Sequence, residues 1–151
     1  MSIRIVKFKK GDERKVANLC KKCIMEIDRK SLTKKQAEYL IHEFSPKGIV
    51  RLSKLATVYV AKKTDKIIGT TTLFNNQVKG VFVNPDYQNQ GVGTKMIEHV
   101  ENIAEKSGHN FTFLNAGNFA VKFCKKLGYK KIKQVDSLTG KLTLMKKKLP
   151  A

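Results

Sequence analysis

The chain has 151 residues, 41% of them hydrophobic, enough for one domain with one sizeable core, and nothing in it suggests a second. Charged residues make up 28% and the apolar runs are short, which leaves no candidate for a transmembrane span. The net charge of +19 favours nucleic acid, anionic membrane surfaces or polyanionic cofactors as partners and disfavours cationic small molecules.

That charge is a bias on partners rather than a function. The excess is mostly lysine scattered in ones, twos and threes, and arginine, preferred for specific phosphate and base contacts, appears only four times. The opening Met1-Ser2-Ile3-Arg4-Ile5-Val6 lacks the apolar stretch and cleavage site of a secretory signal, so a cytoplasmic protein is expected. Cys20, Cys23 and Cys124 are an odd number without an export signal, which argues against a disulfide framework. No second Cys or His pair stands at zinc-finger spacing from Cys20 and Cys23, so core thiols are expected and no metal.

In chain order, residues 3–8 read as a strand ending at Gly11-Asp12. Asp12 is placed to cap a helix in which Val16, Leu19, Cys20, Cys23 and Ile27 recur at helical spacing. Thr33 starts a second helix with a capping box through Gln36, and Ala37, Leu40, Ile41 and Phe44 form its apolar stripe. Ser45-Pro46 opens a short helical turn, weakened by Gly48. Residues 56–61 and 67–74, β-branched and aromatic around a turn at 63–66, predict an antiparallel hairpin. Asn75-Asn76 turns the chain into a strand over 77–83. Val92, Met96, Ile97, Val100 and Ala104 mark a helix closed by Ser107-Gly108. A short strand over 111–114, a helix over about 118–127 ending at Gly128, and strands over 130–135 and 141–149 complete the chain.

The order predicts an α/β class, with a mixed sheet of about six to seven strands and helices on both faces. The strands over 77–83 and 111–114, joined through a helix, are expected to be parallel neighbours with any ligand at their carboxyl ends.

Between the strand and helix stands Val83-Asn84-Pro85-Asp86-Tyr87-Gln88-Asn89-Gln90-Gly91-Val92-Gly93-Thr94. Gly91 and Gly93 let the backbone turn tightly and approach a ligand, and the next helix directs free N–H groups and the positive end of its dipole outward. A phosphate cradle and a tight connection with no ligand fit Gly91-x-Gly93 equally well. A Walker A loop fails because Thr94-Lys95 stand in reverse order, and a dinucleotide fingerprint fails because Met96 stands where its third glycine belongs.

Two segments together resemble the GCN5-related N-acetyltransferases. Val83-x-Pro85-x-x-Gln88-x-x-Gly91-x-Gly93 is similar to that family's acetyl-CoA pyrophosphate loop, and Asn118-x-Ala120-x-x-Phe123-x-Lys125-x-Leu127-Gly128-Tyr129 to its later helix. The element order of the whole chain matches as well. The resemblance implies an acetyl-CoA-dependent N-acetyltransferase in which Gln88, Asn89, Gln90, Gly91, Val92, Gly93 and Thr94 bind the CoA pyrophosphate. Phe82 and Val83 would pair with the pantetheine, the Val83 N–H would polarise the thioester carbonyl, Asn118 would bond the pantetheine from across the gap, and Phe123 would pack near the CoA end. Asn118 also suits a helix N-cap.

The chain departs from the pattern at the general acid. Cys124 stands where the family often has a tyrosine, and it is open to three roles: proton donor, transient acetyl carrier, or filler on a buried face. Tyr129 is expected in the core. The strand over 77–83 has Lys79 but no carboxylate to serve as base; His42, beside Glu43 at the end of the second helix, lies off the apolar stripe, which suits a solvated helix face first and a base second, with a water relay as the other route for the proton. The expected acceptor is a small-molecule or peptide amine that is not strongly cationic, and a monomer or homodimer is expected. Two alternatives remain, a CoA-binding relative with little activity and a basic nucleic-acid-associated protein. Against specific nucleic-acid recognition stand the lack of a helix-turn-helix signature, of an RNP-like aromatic motif and of an arginine cluster; nonspecific binding stays open.

Overall fold

The hydrophobic period changes at Ala56, and the backbone changes with it. In the computed structural model, which describes residues 2–26 and 28–150, the strands are β1 (Ile3–Lys7), β2 (Thr57–Lys63), β3 (Lys66–Phe74), β4 (Gln77–Val83), β5 (Phe111–Ala116), β6 (Lys130–Ser137) and β7 (Gly140–Lys148). They form one sheet in the order β1-β2-β3-β4-β5-β7-β6. Every neighbouring pair is antiparallel except β4 and β5, the expected parallel neighbours.

The helices are α1 (Glu13–Glu26), α2 (Lys34–Glu43), α3 (Pro46–Leu55), α4 (Val92–Lys106) and α5 (Asn118–Lys126). Alternation along each strand divides the core between the two faces. Val60, Ile67 and Phe82 pack against Val16, Leu19, Cys20, Cys23 and Ile24 of α1 and Ile49 of α3. Tyr59, Leu73, Val78, Leu114 and Met145 pack against Ile97, Val100 and Ala104 of α4 and Cys124 of α5. Each fully buried aliphatic side chain of this kind contributes about 1.5–3 kcal/mol relative to exposure. Ile27, part of the predicted α1 stripe, lies outside the described residues.

Local signals set the helix ends. Thr33 accepts the Gln36 N–H at 3.1 Å while the Gln36 side chain accepts the Thr33 N–H at 3.0 Å, the reciprocal box expected from the sequence. The turn expected at Ser45-Pro46 is instead the ten-residue helix α3. Ser45 caps it by accepting the Gly48 N–H at 3.2 Å, and Gly48 is a packing requirement rather than a weakness, since a Cβ there would collide with the Glu43 carbonyl. Tertiary contact with α2 outweighs the low helix propensity of glycine.

Candidate active site

β4 and β5 are joined at one end only. Their register is the single pair Gln77↔Phe113, reinforced where the Phe113 N–H donates to the Asn76 carbonyl at 3.1 Å and the Asn76 side chain donates to the Phe111 carbonyl at 3.2 Å. Past that point β4 stays with β3 and β5 stays with β7, in pairs running from Phe111↔Lys148 to Ala116↔Thr143. A wedge therefore opens toward the carboxyl ends, Val83 and Ala116, where α4 and α5 both begin.

The geometry of β4 decides which groups face that wedge. Between the pairs Thr72↔Lys79 and Thr70↔Phe82, β4 carries one residue more than β3, with Gly80 in the left-handed region at φ +59°. This bulge shifts the phase of the strand. The Asn84 N–H donates to the Ile68 carbonyl of β3 at 2.8 Å, so alternation turns the polar backbone of Phe82 toward β3 as well, and that of Val83 toward the gap. Two donors already reach the Val83 carbonyl from that side, Gln88 Nε2 at 3.0 Å and Cys23 Sγ at 3.2 Å.

Asn84 shapes the loop that follows. Its side chain accepts the Asp86 N–H at 2.9 Å across a 3-10 turn, Pro85–Tyr87, which an ion pair between Asp86 and Lys22 at 2.9 Å ties to α1. Asn89 at φ +62° and Gly91 at φ +79° then bend the chain into α4, whose N-terminus no side chain caps. The N–H groups of Val92, Gly93 and Thr94 are in the first turn, where a helix has no internal acceptors, so the loop presents donors and a positive dipole end. A Cβ on Gly93 would lie 3.1 Å from the Phe123 ring and 3.6 Å from the Val83 side chain, so a side chain here requires the Phe123 ring to give way by a few tenths of an ångström.

The second segment delivers the other wall. The cap position of α5 is Gly117 rather than Asn118; Asn118 is the first helical residue, exposed and close to the mouth of the wedge. Phe123 is half-buried against Gly93. Cys124 is buried in the core cluster, and burial pushes its thiol up to about 11. Tyr129 is fully enclosed, with its hydroxyl within 2.8 Å of both Thr112 Oγ1 and Glu101 Oε2, and Glu101 also accepts from Lys147 at 3.1 Å. Burial raises the Tyr129 phenol far above its ordinary value, as expected of a core tyrosine. His42 is exposed on the last turn of α2, which Phe44 holds against β4 by an edge-on contact with Phe82, ring centroids 5.0 Å apart. Lys79 is exposed on β4.

Two residues escaped the sequence reading. Lys63 and Lys66, on the β2–β3 turn, stand over the Tyr87 ring at 5.6 and 5.3 Å, and Lys63 also donates to the Gln90 side chain at 3.4 Å. They add positive charge to the rim of the loop from far away in sequence, and only the overall lysine excess hinted at them.

A family model for the acetyltransferase (GNAT) domain matches residues 54–131, a span that contains the wedge, the loop and α5. The chain belongs to the GNAT family of acetyltransferases. Its reaction is acetyl-CoA-dependent acetyl transfer. Solved structures share the GNAT fold over almost the whole length. A GCN5-related N-acetyltransferase from Rhodopseudomonas palustris is 20% identical with a TM-score of 0.91, covering 99% of this chain and 97% of that chain. The PaiA N-acetyltransferase from Thermoplasma acidophilum, in complex with coenzyme A, is 20% identical with a TM-score of 0.81, covering 98% and 99%. An aminoglycoside 6'-N-acetyltransferase complexed with coenzyme A is 13% identical with a TM-score of 0.68, covering 98% of each chain. A search of curated protein sequences found no match. In this GNAT chain no helix among the described residues is long and apolar enough to cross a membrane, and no group of three or more His, Cys, Asp or Glu is placed to hold a metal ion.

Proposed function

We propose that this acetyltransferase moves acetyl directly from acetyl-CoA to a primary amine of a small molecule or peptide, and that the amine enters the wedge between β4 and β5. The observation that carries this reading is the single β4–β5 pair, which leaves the Val83 backbone facing a gap onto which two helix N-termini open. A bound acetyl-CoA supplies an activated acyl group, and the chain's own residues do the rest.

The N–H groups of Val92, Gly93 and Thr94, with the Gln88 to Gly91 backbone, hold the pyrophosphate. Gln88 works by fixing the loop, because its side chain is bonded to Val83. Lys63 and Lys66 add charge at the rim. Val83 offers its N–H to the thioester carbonyl as a fixed donor for the charge that develops there. Phe82, whose backbone is turned toward β3, supports Val83 by packing in the core. Asn118 bonds the pantetheine from the opposite wall, and Phe123 fills the space beside Gly93.

Proton handling is modest. The amine must arrive neutral, and His42, exposed beside the α2 end of the site, relays its proton to water. Cys124 keeps its proton at neutral pH, and passing it from a thiol at about 11 to a leaving thiolate of pKa about 8.5 is uphill. Cys124 thus serves turnover mainly by filling the α5 face. The net charge of +19 steers the acceptor choice toward neutral or anionic amines.

The test combines binding and turnover. A thermal shift with acetyl-CoA should exceed that with duplex DNA or RNA at moderate salt, and release of free thiol across an amine panel should identify the acceptor class. No acetyl-CoA shift, together with a steeply salt-dependent nucleic-acid shift, would sink this reading.

A further inference from the structure

The acetyl-transfer site uses the carboxyl end of the wedge, and one outer face of β5, β7 and β6 takes no part in it. Thr112, Leu114 and Ala116 of β5 and Thr143 and Met145 of β7 are buried on the side of α4 and α5. Alternation places Phe111 and Phe113 of β5 on the opposite side with Leu144, Lys146 and Lys148 of β7. The core beneath α1 to α3 is built on β2, β3 and β4, and Gln36 of α2 reaches only the β6–β7 turn at Gly140; at the other end of these strands Lys146 and Lys148 are exposed and both phenylalanines are half-buried.

Register assembles a pattern on this face. Phe111 stands opposite Lys148, and Phe113 stands opposite Lys146, which in turn stands opposite Lys130 of β6; Lys133 faces Leu144. The two phenyl rings lie 6.4 Å apart at an angle of 39°, and Lys146 Nζ sits 3.9 Å from the Phe111 centroid.

The fold does not account for this pattern. Lys130 and Lys146 are like charges directly opposite each other, an arrangement that destabilises a sheet. Among the described residues none of Lys130, Lys133, Lys146 and Lys148 makes an ion pair, and Asp136 is the sole carboxylate between Lys122 and Lys148 in the sequence. Lysines on β6 guard an exposed edge. That explanation stops at β7, which is paired along its length with β5 on one side and β6 on the other.

Neighbouring aromatic rings on a sheet, flanked by lysines without counter-charges, suit a strand whose bases are free to stack and whose phosphates run alongside. A duplex hides its bases from the rings, and an acidic peptide needs the lysines alone. We propose that the open face of β5, β7 and β6 binds single-stranded nucleic acid without sequence preference, Phe111 and Phe113 stacking on bases and Lys130, Lys133, Lys146 and Lys148 meeting phosphates. The site is independent of acetyl transfer. The linear sequence hides it because the rings and lysines converge only through strand register.

Fluorescence anisotropy with a labelled oligouridylate of about 12 nucleotides tests it, beside duplex RNA, inorganic polyphosphate and polyglutamate. The oligouridylate should bind best, with affinity falling as salt rises. Phe113→Leu keeps apolar bulk but loses the ring; it should weaken oligouridylate binding by about 5-fold or more and leave polyphosphate binding unchanged. Lys146→Gln with Lys148→Gln should weaken both ligands and lower the salt slope by roughly 1.4. Lys9→Gln with Lys10→Gln, beyond β1 on the far edge, is the charge-matched control and should do neither. The proposal is overturned by duplex or polyglutamate binding as tight as oligouridylate, by equal losses in the control, or by a folded Phe113→Leu protein that binds normally. If Phe113→Leu does not fold, the surface lysine pair against its control decides, with the acetyl-CoA thermal shift confirming that each protein is native.

Discussion

Gln77 and Phe113 are the one cross-strand pair that joins β4 to β5, and the Asn76 side chain reinforces it by donating to the Phe111 carbonyl at 3.2 Å. The same few residues close the sheet at one end and leave it open at the other. Were the ladder to continue, the Val83 N–H would be used up within the sheet.

Asn76→Ala removes that reinforcement. The half-buried Phe111 carbonyl loses a donor, and stability should fall by about 1 kcal/mol in urea denaturation. Acetyl-CoA affinity should fall with it, because the walls of the wedge lose their fixed hinge. An unchanged affinity in calorimetry would separate the clip from the site.

Gly91→Ala probes the cradle without a steric clash. Nothing lies within 4 Å of a Cβ there, but φ is +79°, so the cost of about 1–2 kcal/mol comes from backbone strain alone. Relief of that strain would re-aim the N–H groups at the start of α4. The expected result is an acetyl-CoA dissociation constant raised about tenfold, with kcat at saturation little changed.

Tyr129→Phe should act on stability and not on chemistry. Its hydroxyl lies between Thr112 and Glu101 in a buried network, and losing it leaves two polar groups short of a partner, at a cost of about 1–3 kcal/mol. The variant should melt earlier and keep its kcat. A large fall in kcat at pH 7 would instead give the phenol a part in the reaction.

Cys124→Ala tests both chemistry and pH dependence. Because transfer of its proton is uphill, kcat should fall less than about tenfold. Burial raises the Cys124 thiol to about 11, and raises that of Cys20 further. In the unfolded chain each ionises near about 8.5. Below that pH both states keep their protons; above it the unfolded chain releases protons that the folded chain retains, so stability falls as pH rises toward 11. Urea denaturation should therefore show a loss between pH 8 and pH 10, and Cys124→Ala should reduce that slope by about 1 kcal/mol over the interval.

The loop from Gln88 to Thr94 was legible in the sequence because its requirements are local. A glycine must turn the chain, a helix must start at once, and both are written in adjacent residues. The same holds for the Thr33–Gln36 box and for the hairpin of β2 and β3. Order and period also sufficed for the mixed sheet and for its parallel pair. The ten-residue α3 escaped because the contact that makes Gly48 favourable comes from the backbone of α2. α5 begins at Asn118 as expected, and only the N-cap reading of that residue fails, the cap position being Gly117.

By itself, then, the sequence determined the class of fold, the glycine turn that leads from β4 into α4, and the family to which the two motifs point, since element order, turn and motifs are each written in short stretches of chain. Only the tertiary structure decided that β4 and β5 part after one pair, that Lys63 and Lys66 reach the loop, that Cys124 is enclosed, and that Phe111, Phe113 and four lysines share an open face. Those facts depend on strand register and on where a pairing stops. Register is fixed by the packing of both sheet faces together, so no stretch of sequence records it alone.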